Sequence, residues 1–300
     1  MSDSTSPSQA GDNAMKPTLI PGLSRPGERE TMNSRYRGWF LALAFLLLAA
    51  LIVVTCNVWL TSRLVRQQRE HSKEHAFWTL CQPGYSAEVR KNAFLLLAAE
   101  GNKEWRSASL ADLDLEKVSL VDAQLETAAF RRARLAGANF SAARLIKSSF
   151  EMADLSGADL SRADLSEAQL YRTILKAAKL NRTILRGANL QEIKAEGSQF
   201  LAADLGDSDC LMADFTGASL AGANLTGARL EAAKFSGANV SLARLQETNI
   251  RDADFANCNW WRARGWNAAR LDFLKKKFSP DTNAPAGLRV DFEKWVKEQK

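Results

Sequence analysis

His71 and His75 are the chain's only histidines, set four residues apart with Glu70 and Glu74 beside them and Cys81 further on. On a helix, positions i and i+4 share a face, so the pair could offer two imidazole nitrogens to a metal such as zinc. A closed zinc site takes four ligands, and no third follows at convincing spacing. A solvated stalk is the better reading of these residues, and no metal ligand is assigned. The four cysteines make no disulfide framework. Cys56 lies in an apolar run, Cys210 and Cys258 occupy inward positions of a repeat, and Cys81 alone is expected to be exposed. The sequence holds no glycine-rich phosphate loop after a strand and no nucleophile elbow. It also lacks paired carboxylates outside the repeat, so no catalytic residue and no cofactor are assigned.

The remaining carboxylates point to the element that positions them. Asp154, Asp159, Asp164, Asp204, Asp214 and Asp254 all sit one residue before a multiple of five. From Leu110 to Trp260 the multiples of five are large and apolar, with only Ala195 and Cys210 breaking the rule. Two residues earlier stands a small residue, as at Ala133, Ala138, Ala153, Ala158, Ala223 and Ala228. The unit is A-(D/N)-L-x-x, clearest in Ala153-Asp154-Leu155-Ser156-Gly157. A period of five suits neither a helix nor a long strand. Residues two apart share a side of an extended segment, so Ala and Leu point inward and the Asp or Asn between them points to solvent. Two polar residues then turn the corner. Every twentieth residue from Leu125 to Leu245 is Leu, and one corner column holds Gly137, Gly157, Gly197, Gly217 and Gly237. Four repeats per coil explain both columns, and at about 4.8 Å per layer the rod is about 35 to 40 Å long.

Residues 105 to 260 resemble the pentapeptide-repeat family through these A-(D/N)-L-x-x units. The resemblance implies an all-β solenoid, a right-handed quadrilateral β-helix; with no catalytic constellation in the sequence, the protein is expected to be non-enzymatic. Where Ala195 replaces the large residue, Ile193 replaces the small one, which conserves volume. Phe215, Phe235 and Phe255 share one column and are expected to stack directly after that layer.

The rest of the chain reads as anchor and caps. Residues 1 to 37 are rich in Ser, Pro, Gly and charge and are expected to be a disordered tail. From Gly38 to Leu60 no charge occurs; as a helix this run spans about 34 Å and should cross a membrane. Trp39 and Trp59 lie near its ends. Four arginines before the run are balanced by three arginines and Lys73 after it, so the charge count leaves the orientation tied. The arginine-bearing tail favours a cytoplasmic N-terminus and a solenoid on the periplasmic side of a bacterial inner membrane. Residues 61 to 104 form a helical stalk and N-terminal cap: Pro83-Gly84 breaks the stalk, and Ser86 caps a short helix ending at Gly101. Residues 261 to 300 form the C-terminal cap, with Asn267 starting one helix and Val290 to Lys297 a second. A second reading docks Trp295 on another copy, as a homo-oligomer contact through the C-terminal region.

Charge limits the partners. Between residues 105 and 260, 18 Lys plus Arg face 20 Asp plus Glu. Arg131 to Arg186 holds eleven basic and five acidic residues, whereas Glu192 to Asp214 holds six acidic residues and only Lys194. Quinolone-resistance members of the family resemble B-form DNA and bind DNA gyrase; this rod is not strongly acidic and carries a membrane anchor. DNA mimicry or gyrase interaction is therefore an alternative function, as is nucleic-acid binding through Arg131, Arg132, Arg134, Arg172, Arg182 and Arg186, or a metal-binding accessory role in a membrane complex. No aromatic interleaving supports base stacking. Leu201, Leu211 and Met212 carry apolar side chains where polar ones are expected, and with Arg131, Arg132, Arg182 and Arg186 they form the candidate surface for a protein partner. The leading expectation is a membrane-anchored interaction scaffold.

Overall fold

The computed structural model describes residues 26–82, 84–99 and 101–299. They divide into two units, Met1–Gln68 and Arg69–Lys300. Helix α1 runs from Pro26 to Cys81, so it begins ahead of the apolar run and continues through the polar stalk without a break. Residues 1–25 of the expected tail, and Pro83 of the expected break, lie outside the described residues. The stretch Arg37–Cys81 has a mean hydropathy of 2.7 over its most apolar window, none of it buried, and is long and apolar enough to cross a membrane.

The repeats form a four-sided coil in which the residue before each large apolar one bridges in parallel to the residue 20 positions on in nearly every repeat, from Glu104 with Gln124 to Arg244 with Arg264. Residues 139–143 show how the backbone is satisfied. Asn139 N–H donates to Val118 O at 2.8 Å, Phe140 N–H to Asp159 O at 2.7 Å and Ala142 N–H to Ser161 O at 3.0 Å, all on neighbouring coils. Ala143 N–H closes a β-turn onto Phe140 O at 3.0 Å. The remaining N–H, on Ser141, goes to the Asn139 side-chain oxygen at 3.0 Å. Two of five residues are spent on the turn, so each side keeps one bridging residue and no continuous strand forms among the described residues. The expected all-β sheet is thus a set of single-residue ladders.

The Ala and Leu or Phe positions are buried along the coil, with only Val118 and Ile250, near its two ends, partly buried, as alternation across an extended segment requires. Phe215, Phe235 and Phe255 stack with ring centroids 5.2 and 5.0 Å apart, and Phe130 stacks on Phe150 at 4.7 Å. Ile193 and Ala195 are both buried, as the volume exchange implied. The turns are more uniform than the glycine column suggested. The second turn residue has positive φ in every repeat, including Thr127 at 58° and Arg132 at 54°, with glycine in only a minority. Glycine therefore does not set the Gly137 to Gly237 corner apart in backbone conformation.

Both ends of the coil are covered. Helix α2 spans Ala87–Ala99; Ser86 Oγ accepts from Val89 N–H at 3.4 Å, and Asn102 N–H returns to Leu97 O at 3.1 Å past Gly101. Leu80, Phe94 and Trp105 are fully buried at this end. The first coil has no coil before it. Its Ser109 N–H donates instead to Leu80 O of α1 at 2.8 Å, and Arg90 Nη1 donates to Ser109 O at 2.8 Å. At the far end a 3-10 turn, Trp260–Arg262, leads to α3 (Ala268–Phe278) and α4 (Ala286–Glu298). Asn267 accepts from Arg270 N–H at 2.9 Å as the expected cap. Trp295 is 8% exposed and its ring lies 5.7 Å from that of Trp260, so this side chain is used within its own chain.

Candidate functional site

The 20-residue coil sorts the outward side chains by corner. Arg131, Arg132, Leu211 and Met212 all fall on one corner, four coils apart at most, which is about 19 Å at 4.8 Å per layer. Met152, Tyr171 and Arg172 lie on the same corner between them. Leu201 and Arg182 lie on the diagonally opposite corner, and Arg186 on a third. The expected cluster of Leu201 with Leu211 and Met212 therefore does not form: ten residues are half a coil, which puts the side chains back to back. Met212 is 55% exposed and Leu201 50%.

The basic and acidic bands also change meaning once the coil is closed. Eight of the eleven basic residues between Arg131 and Arg186 pair with carboxylates, mostly one coil away. Arg132 is bidentate to Asp112 at 2.7 and 2.9 Å. Arg131 lies 3.8 Å from Glu151, and Arg186 2.7 Å from Asp207. Arg172 Nε donates to Glu192 at 2.7 Å, Tyr171 OH donates to the same carboxylate at 3.2 Å, and the guanidinium lies over the Tyr171 ring. The hydrogen bond from Arg132 holds the Asp112 carboxyl below the usual carboxylate range, and that from Arg172 does the same for Glu192. Among the described residues Arg162, Lys179 and Arg182 make no such pair. The corner bearing Arg131 to Met212 is thus neutralised along its length, with two methionines, a leucine and a tyrosine among its paired charges.

The carboxylates of the repeat do more than face solvent. Asp154, Asp159, Asp164, Asp204, Asp214 and Asp254 each accept a hydrogen bond at 2.9 to 3.1 Å from the N–H two residues on, the one turn donor the ladder leaves over. Local Asp and Asn side chains commonly satisfy a turn this way, and that habit was the available sequence signal.

His71 and His75 line an open groove of about 470 Å³ with Ala76, Thr79, Val89 and Leu96, between the end of α1 and α2. Among the described residues no three of His, Cys, Asp and Glu gather as a metal site. Cys210 and Cys258 are buried, and burial pushes the Cys210 thiol up to about 12 and that of Cys258 higher still. Cys81 is partly buried rather than open, and burial raises its thiol too.

The family model for pentapeptide repeats matches in eight copies, over residues 108–145, 123–162, 138–176, 183–222 and 223–259. Solved structures similar to this chain include HetL, a pentapeptide repeat protein involved in heterocyst differentiation regulation from the cyanobacterium Nostoc sp. strain PCC 7120. It is 27% identical over 56% of this chain and 95% of its own, with a TM-score of 0.28. Full-length QnrB1, a plasmid-mediated fluoroquinolone resistance protein, is 16% identical over 61% of this chain and 98% of its own, with a TM-score of 0.31. Rfr23, from the cyanobacterium Cyanothece 51142, is 24% identical over 59% and 99%, with a TM-score of 0.21. No curated protein matches the chain. With its five-residue register, 20-residue coil and eight matched copies, this chain belongs to the pentapeptide repeat family, whose solenoid is a right-handed β-helix.

Proposed function

We propose that this protein is a non-enzymatic scaffold, held in a membrane by α1 and presenting its β-helix to a protein partner. The observation that carries the reading is the continuity of α1. One helix contains a charge-free run of membrane length, and its last turn supplies the Leu80 carbonyl that caps the first coil. The rod suits presentation because each coil is locked to the next by a backbone ladder.

The partner edge in this reading is the corner bearing Arg131, Arg132, Met152, Tyr171, Leu211 and Met212. Paired charges around apolar side chains resemble the mixed make-up of a non-obligate protein interface, where Arg, Tyr and Met are enriched. A DNA-like role is less well supported, because the carboxylates of the rod are taken up by neighbouring arginines and lysines.

The test has two parts. Alkaline extraction of membranes should leave the full chain in the pellet, and its release into the supernatant would remove the anchor. Proximity cross-linking in cells should then give a partner band that Leu211→Arg plus Met212→Glu abolishes and Leu201→Arg leaves intact. Loss with Leu201→Arg alone would move the surface to the opposite corner.

A further inference from the structure

The lipid-length part of α1 carries an unanswered polar group. Along this helix the hydroxyls turn back onto helix carbonyls: Thr55 Oγ1 to Ile52 O at 2.9 Å, Thr61 Oγ1 to Asn57 O at 2.8 Å and Ser62 Oγ to Trp59 O at 2.8 Å. The Asn57 carboxamide has no such outlet. It is exposed and makes no side-chain hydrogen bond among the described residues, although it lies inside the charge-free run from Gly38 to Leu60. A carboxamide out of water needs both donors and acceptors, and its absence of partners is costly in hydrocarbon.

The neighbours of Asn57 form a seam. Leu43, Ala50, Asn57 and Leu64 recur every seven residues, and Leu46, Val53 and Leu60 recur every seven on the interleaved positions. These spacings match the a and d positions of a parallel helix pair, in which one polar Asn at an a position fixes register. The seam is exposed throughout, with Val53 58%, Leu60 49% and Leu64 60% accessible.

We propose that the protein self-associates through this seam as a parallel, in-register pair of α1 helices, with the two Asn57 side chains hydrogen-bonded to each other. Three features select a second copy as the occupant. A carboxamide is self-complementary, since each can donate to and accept from its twin. Copies inserted in one membrane in one orientation are necessarily parallel, so identical residues meet at the same depth. The heptad runs through Asn57 from both sides without a break. The proposal rests on the reading of α1 as a membrane span, and it concerns a surface different from the rod's partner edge.

The experiment uses the full chain in phosphatidylcholine vesicles, with Cys56 and Cys81 changed to Ser. Vesicle flotation comes first: a chain that fails to float ends both the membrane reading and the pair. For a chain that floats, Leu60→Cys is expected to cross-link under mild oxidation, while Ser62→Cys, off the seam, does not. Energy transfer between labelled copies should fall as lipid is added, and Asn57→Val should weaken the pair about three- to thirtyfold. Asn57→Gln, which keeps the carboxamide, should restore most of the signal. Equal cross-linking at residues 60 and 62, or an unchanged association constant in Asn57→Val, would overturn the pair while leaving the anchor standing.

Discussion

At Asp159 the side-chain oxygen holds the Ser161 N–H at 2.9 Å, and among the described residues no ion pair competes for it. Replacing Asp159 with Asn keeps the acceptor and should leave the thermal midpoint almost unchanged. Asp159→Ala strands the N–H and should lose about 1 kcal/mol in denaturant unfolding. Equal losses in the two variants would show that charge alone matters there. Two glycines make a second comparison. Gly157 has φ +66° with nothing within 4 Å of an added Cβ, and alanines already occupy the equivalent slot at Ala142 and Ala202, so Gly157→Ala should cost about 1 to 2 kcal/mol. Gly265 has φ +93°, and an added Cβ would meet Gln246 N at 2.8 Å and its side chain at 2.7 Å. Backbone cannot move aside as a side chain can, so Gly265→Ala should cost about 2 to 5 kcal/mol.

Among the elements, the C-terminal cap depends on one carboxylate. Asp291 of α4 accepts from Trp261 Nε1 at 2.9 Å and from Arg262 Nε at 3.0 Å. The Arg262 hydrogen bond draws its carboxyl below the ordinary value. A group whose folded value is depressed stabilises fully above its unfolded value and loses that contribution as pH falls through the folded one. Tryptophan fluorescence of Trp261 and Trp295 should therefore hold steady at neutral pH and change only below about pH 4. Asp291→Asn should show the changed spectrum already at pH 7, and an identical acid profile in that variant would assign the transition elsewhere. Much of this element was open to sequence reading, because Asn267 and the tryptophan cluster announce a closing helix. Its Asp291 link was not, since 29 and 30 residues separate it from Arg262 and Trp261 with no repeat between. The aromatic ladder was readable for the opposite reason: Phe215, Phe235 and Phe255 recur at the coil length itself. Phe235→Ala, in the middle of that stack, should lose about 3 to 5 kcal/mol.

For the whole molecule, neighbours in space are neighbours at a distance of 20 in sequence, and that rule decides which surface inferences held. Five-residue spacing located nearly all the buried positions of the coil, since it concerns one chain segment at a time. The charge bands and the Leu201 to Met212 patch were judged along the chain, where Arg132 looks unpaired and Leu201 looks close to Leu211. Across coils Arg132 meets Asp112, and Leu201 faces the other way. The ladder also runs the length of the rod and is stopped only by its caps. A chain ending at Asn259 would expose the last coil's unpaired groups, and should show concentration-dependent association in sedimentation where the full-length protein shows less. The 20-residue coil further makes sequence length an angular dial. Deleting one whole coil, such as residues 161–180, lowers everything after it by one storey and leaves each later side chain on its original corner. Deleting only 161–165 turns all later residues a quarter of the way round, so that Met212 would leave the edge of Arg131 while the core stayed intact. Insertions and deletions in such a rod thus aim its surface without redesigning it.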